Sequence, residues 1–144
     1  MIKFIDGNIF DSKAEVIVNP VNCVGVMGAG LALVFKKKYP EMFRRYNNHC
    51  KNGRIKLGKV FLMCGNKRIL LFPTKSHWAE RTYVKNIESG LDDFVQKYKR
   101  WEIKSIAFPA LGCGCGGAKW ELVKEVIVEK LKNLDVLVEI YNPK

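Results

Sequence analysis

Two glycine-rich segments and one lysine are the residues of this chain best suited to chemistry. The first segment, Asn19-Pro-Val-Asn22-Cys-Val-Gly25-Val-Met-Gly28-Ala-Gly30, leaves an apolar run and enters an amphipathic one. Glycine lets backbone N–H groups approach a ligand closely, and the start of a helix adds the positive end of its dipole, an arrangement that holds a phosphate. Alone, such a loop reads equally well as a plain strand-to-helix turn. The second segment, Leu111-Gly112-Cys113-Gly114-Cys115-Gly116-Gly117, places four glycines in six positions. That much backbone entropy is costly unless a chain or a ligand must pass close by. Two loops of this kind would clamp both phosphates of a pyrophosphate, so a nucleoside diphosphate is the implied ligand. The stretch from Gly25 to Gly30 does not fit G-x-G-x-x-G, and no strand with an acidic residue follows about 20 residues later, which excludes a dinucleotide dehydrogenase site. Neither loop holds Gly-Lys-Ser or Gly-Lys-Thr, which excludes a P-loop.

Lys75 follows the apolar run Leu70-Leu71-Phe72-Pro73 and precedes Trp78. An arbitrary lysine is a solvated charge, but one at a strand end beside an apolar ring is partly desolvated, which favours a reactive amine. Such an amine either attacks a ring-opened sugar or delivers a proton to a leaving base, and the sequence leaves both routes open. His77 and Trp78 beside it have two readings as well: contact with a nucleobase, or packing of Trp78 on the sheet edge.

The elements that must position these loops follow from the hydrophobic pattern. Strands are expected at Ile2 to Ile5, Glu15 to Asn19, Val60 to Met63, Ile69 to Phe72, Ser105 to Phe108 and Val136 to Tyr141, the third and fourth pairing around Gly65-Asn66. Leu31, Val34 and Phe35 share one helical face, and Pro40 starts a second helix carrying Met42, Phe43, Tyr46 and Cys50. Val84, Ile87, Leu91, Phe94, Val95 and Tyr98 repeat at helical spacing after a Thr82 cap, as do Val123, Val126, Ile127, Leu131 and Leu134. Helices alternating with strands must cover both faces of one sheet, which predicts an α/β chain with three α/β/α layers and about six strands.

The 144 residues, 48% of them hydrophobic, suit one domain, residues 1–144, with a real core. The 25 Lys and Arg against 14 Asp and Glu leave a net charge of +11, which points to polyanions, nucleic acid ahead of a membrane surface. No apolar stretch approaches the ~20 residues of a membrane span, and the N-terminus lacks a secretory pattern, so a cytoplasmic location is expected. The five cysteines form no even framework and suit reduced thiols. Cys113-Gly-Cys115 lacks a second Cys pair at ligand spacing, so no metal is expected.

Gly7-Asn8-Ile9-Phe10, Ala14 to Asn22, Gly25-Val-Met-Gly28-Ala-Gly30 and Leu111-Gly112-Cys113-Gly114 together resemble the macrodomain family of ADP-ribose-binding modules, over nearly the whole chain. Phe72-Pro-Thr-Lys75-Ser-His77-Trp78 and Gly112-Cys-Gly-Cys-Gly-Gly117-Ala-Lys-Trp120 resemble one branch of it, the DNA ADP-ribosyl glycohydrolases or DarG-type antitoxins. A sister branch acting on protein carries an aspartate near the position of Gly116, and glycine here favours the DNA-directed branch. The resemblance implies that Asn8 and the Ile9 backbone meet the adenine, although most macrodomains place aspartate at Asn8. It implies that Gly28, Gly30, Gly112, Cys113, Gly114, Cys115 and Gly116 surround ADP-ribose, and that Asn22 orients the distal ribose where another asparagine would merely cap a turn. Lys75 then does the chemistry, with His77 and Trp78 toward the nucleic acid. The implied activity is metal-independent release of ADP-ribose from a base, thymidine, in single-stranded DNA, needing no cofactor. The implied state is a monomer that counteracts a cognate DNA ADP-ribosyltransferase toxin. A reader of ADP-ribose without turnover, and a hydrolase of protein-linked ADP-ribose or of a small ADP-ribose metabolite, are the competing readings.

Overall fold

The computed structural model describes residues 1–144. Its six strands are β1 (Ile2–Ile5), β2 (Val16–Val21), β3 (Phe61–Met63), β4 (Arg68–Pro73), β5 (Ser105–Phe108) and β6 (Leu137–Tyr141). They form one mixed sheet in the order β1-β6-β5-β2-β4-β3, parallel throughout except for the antiparallel β3–β4 hairpin. The four helices are α1 (Gly30–Lys38), α2 (Pro40–Lys51), α3 (Val84–Lys97) and α4 (Trp120–Leu131). The three-layer α/β/α architecture and all six strands agree with the sequence pattern to within two residues at each end. None of the helices is long and apolar enough to cross a membrane.

Strand alternation explains the layers. Val16, Val18, Leu70, Phe72, Ile106 and Phe108 turn to one face and pack with Ile87, Leu91 and Phe94 of α3 and Val123, Ile127 and Leu131 of α4. Ile17, Ile69, Leu71 and Ala107 turn to the other and pack with Phe35 of α1 and Met42 and Tyr46 of α2. Each of these helix stripes steps by three, four or seven residues, the spacing that keeps side chains on one face. A fully buried side chain of this size contributes roughly 1.5–3 kcal/mol, so two facing cores make the sheet a rigid platform. Inside α3, Gly90 is required by packing: a Cβ there would sit 2.5 Å from Cζ of Phe72.

Two expectations need correction. Thr82 does not cap α3; Tyr83 occupies the N-cap position without a side-chain bond, because Thr82 is drawn into the protein by its N–H bond to the Gly116 carbonyl at 2.9 Å. Leu134 lies beyond α4, which ends at Leu131 where the chain turns into the Leu131–Leu134 loop.

Candidate active site

The site forms where the sheet splits. β2 stays paired with β4 as far as Val21↔Pro73, but its ladder with β5 stops at Ile17↔Ala107. Pro20 falls beyond that point. Val21 turns its carbonyl to β4, where Thr74 N–H donates to it at 2.9 Å, so Pro20 faces the β5 side, where no ladder needs the N–H that proline lacks. The chain leaves β2 toward α1 and β5 toward α4, on opposite faces, and the crevice between such strand ends is where open α/β sheets bind ligands. Here it is a cleft of about 400 Å³.

The loop after β2 is built by Asn22. Its Oδ1 accepts from the N–H groups of Val24 and Val26 at 3.1 and 3.3 Å and from the Tyr46 hydroxyl at 2.8 Å, while its Nδ2 donates to the Val26 carbonyl at 2.8 Å. Tyr46 sits on α2 and is fully buried, and burial pushes its phenol far above the usual range. Met27, 1% exposed, plugs the loop into the second core, with the Asn19 amide 3.8 Å from its sulfur. The loop then enters α1, whose N-cap Ala29 supplies no side-chain bond. The backbone N–H groups from Gly28 to Ala32 have no acceptor in the protein and lie at the positive end of the helix.

The loop after β5 forms the facing wall, and its glycines separate into two kinds. A Cβ at Gly112 would sit 2.5 Å from Thr82 Cγ2, and one at Gly116 would sit 2.2 Å from Thr82 Oγ1, so the protein's own packing requires both. Gly114 meets nothing within 4 Å, and Gly28 touches only Val26 at 3.5 Å. Both line the cleft, and the space their side chains would occupy is open. The N–H groups of Gly114, Cys115 and Gly116 are also without an acceptor. Two loops with unpartnered amides therefore border one cleft, an arrangement suited to a diphosphate. Gly30, at φ +57°, does not itself line the cleft; a Cβ there would sit 3.5 Å from the Cys115 sulfur, so the two loops approach closely at this point.

Lys75 stands on the third bank. The Cys23 N–H donates to the Ser76 carbonyl at 3.1 Å, two residues out of the β2–β4 register, which ties the exits of the two strands together beyond their last rung. The lysine is half-buried, lines the cleft, and its ammonium donates to the Trp78 carbonyl at 3.1 Å. Trp78 is 58% exposed, so it does not pack on the sheet edge; its ring lies 5.0 Å from that of His77 and lines the cleft.

Asn22, Gly28, Gly112, Gly114, Cys115, Gly116, Lys75 and Trp78 thus meet around one cleft. Asn8 and Ile9 line a smaller hollow of about 170 Å³ that shares Leu31 and Ala110 with it. Asn8 Oδ1 is occupied by the Phe10 N–H at 2.9 Å, whereas the Ile9 N–H is free. His77 does not line the cleft; its Nδ1 accepts from the Ala79 N–H at 3.0 Å. Cys113 turns away, its thiol bonded to the Leu111 carbonyl and pushed up in pKa by burial. The places of Thr74, Thr82 and Tyr46 at the site escaped sequence reading, because Thr74 ends an apolar run, Thr82 reads as a helix cap and Tyr46 reads as part of a core-facing helix stripe.

The macro domain family model matches residues 18–127. The chain belongs to the macrodomain family. A DNA ADP-ribosyl glycohydrolase of Mycobacterium tuberculosis is 42% identical over 99% of this macrodomain and 42% of its own length. The solved macrodomain of M. tuberculosis DarG superposes with a TM-score of 0.96 at 41% identity, covering 100% of this chain and 99% of that one. Thermosipho africanus DarTG, solved in complex with ADP-ribose, superposes with a TM-score of 0.95 at 37% identity, over 99% of this chain and 41% of that one. This macrodomain spans about two fifths of the length of the curated relatives it matches.

Proposed function

We propose that this chain, a single macrodomain over residues 1–144, is a metal-independent ADP-ribosyl glycohydrolase that removes ADP-ribose from thymidine in single-stranded DNA. Lys75 carries the reading: an amine on the rim of a cleft whose two walls offer free N–H groups to a diphosphate. The adenine lies in the smaller hollow against the Ile9 N–H and Asn8, whose Nδ2 is left for it. The diphosphate bridges the Gly28–Gly30 and Gly112–Gly116 amides, with Cys113 behind the wall. The distal ribose reaches Asn22, and its anomeric carbon meets Lys75. Water adds at that carbon, the glycosidic bond breaks, and the base leaves with a proton. The lysine serves either as the nucleophile toward the ring-opened sugar or as the proton donor. The site needs no cofactor. The protein acts as a monomer against a cognate DNA ADP-ribosyltransferase toxin, a partner that fits the fused DarTG relative, and a cytoplasmic location fits the five free thiols.

One observation favours a second reading, a binding module without turnover. The Asn22 amide is occupied in shaping its own loop, which leaves one Nδ2 hydrogen for a ligand. Incubating the protein side by side with an ADP-ribosylated thymidine oligonucleotide, an ADP-ribosylated protein and ADP-ribose 1″-phosphate separates the readings. Clearance of the oligonucleotide alone is the expected result, binding of all three without clearance makes the chain a reader, and clearance of only the protein or the metabolite reassigns the substrate.

A further inference from the structure

The bank that carries Trp78 continues into a surface that the cleft does not use. Thr82 lines the cleft, and the next residue, Tyr83, stands 52% exposed at the start of α3. Two cations lie over its ring at the outer edge of contact: the Arg81 guanidinium 5.5 Å and the Lys85 ammonium 5.9 Å from the centroid, loose enough to exchange for phosphates. Neither cation forms an ion pair with a carboxylate, although six such pairs exist elsewhere in the protein. An isolated exposed aromatic needs no explanation. Tyr83 is not isolated: Trp78 and His77 lie five and six residues before it, all on the same segment bordering the cleft. Five residues of chain reach at most about 18 Å, so both ring sets fall within a few nucleotides of one another.

We propose that Tyr83, with Arg81 and Lys85, is a stacking subsite for a nucleotide of single-stranded nucleic acid next to the one that carries ADP-ribose. The proposal rests on the DNA-directed reading of the cleft and extends it beyond the modified base. A base lies on the exposed Tyr83 ring, which every base can do because each has a π face. The flanking phosphates take the two unpaired cations, releasing counterions as they do so. Alternation of ring and cation matches a strand in which base and phosphate alternate, whereas an acidic peptide would leave the ring without a partner.

The test compares turnover of an ADP-ribosylated thymidine oligonucleotide with that of ADP-ribosylated thymidine nucleoside. Tyr83→Ala should raise KM for the oligonucleotide about five- to a hundredfold, the loss typical of one base–aromatic stack, leave the nucleoside unchanged, and be rescued by Tyr83→Phe. Arg81→Gln with Lys85→Gln should lower the slope of log KM against log salt by about 1.4, from roughly 0.7 per phosphate on a single strand. An oligonucleotide that is turned over with KM and salt slope unchanged in these variants overturns the subsite alone. Equal losses on oligonucleotide and nucleoside also overturn it, since they make Tyr83 a support of the cleft. Wild-type protein that clears protein-linked ADP-ribose but neither DNA substrate overturns the subsite and the parent reading together. Tighter binding of an acidic peptide than of an unmodified oligonucleotide, abolished by Tyr83→Ala, assigns the surface to protein instead.

Discussion

At the scale of single residues, the second glycine loop separates what the fold needs from what a ligand needs. Gly114 has a non-positive φ and open space around its missing Cβ, so Gly114→Ala should leave urea unfolding nearly unchanged while weakening ADP-ribose binding. Gly116→Ala should instead destabilise the protein by about 1–3 kcal/mol, because its Cβ would fall 2.6 Å from the Gly112 carbonyl oxygen as well as against Thr82. Equal stability losses in the two variants would show that both glycines serve packing. Cysteines give a matching test. Cys115 is exposed and lines the cleft, so ADP-ribose should slow its alkylation, while Cys23, pushed up to about 11 chiefly by burial, should resist alkylation at neutral pH with or without ligand. Alkylation of Cys115 at the same rate with ligand bound would move the diphosphate out of that loop.

At the scale of elements, the sheet was legible in the sequence because its signal is local. Runs such as Ile69 to Phe72 and Ile106 to Phe108 are apolar on both faces, and the α3 stripe repeats at helical spacing. Long-range contacts left no such trace. Thr82 looked like a helix cap because threonine before a periodic segment is a common one, yet the Gly116 carbonyl, far away in sequence, claims its backbone. The second strand was expected to end at Asn19, yet β2 continues through Pro20 to Val21, where one of its flanks has no ladder to need the N–H that proline lacks. Roles in the site divide the same way. That the glycine loops and Lys75 border one cleft was readable from residue type and place, whereas the tie between Asn22 and Tyr46 joins a loop to a helix that reads only as core. That tie predicts that Tyr46→Phe costs about 1 kcal/mol in urea unfolding and loosens the loop enough to weaken ADP-ribose binding. Unaltered unfolding would mean that Asn22 holds the loop without help from α2.

For the whole molecule, two facing cores fix a platform from whose split edge three loops converge, so ligand binding should stabilise the fold as a unit. ADP-ribose at 100 times its dissociation constant should contribute about 2.7 kcal/mol and raise the melting temperature, while ATP and added magnesium do little, and equal stabilisation by ATP would refute the diphosphate clamp. The measurement closest to the central claim is single-turnover release of ADP-ribose from an ADP-ribosylated thymidine oligonucleotide, by the wild type and by Lys75→Ala, with ADP-ribose affinity determined on both. The wild type should release ADP-ribose and the unmodified oligonucleotide. The variant should bind ADP-ribose nearly as well and turn over at least ~100-fold more slowly, a loss of about 2.7 kcal/mol confined to the transition state. Lys75→Arg should be nearly as slow, since arginine keeps the charge without offering a free amine. Release at the wild-type rate by Lys75→Ala would remove the lysine from the reaction, and no release by the wild type would contradict the account at its centre.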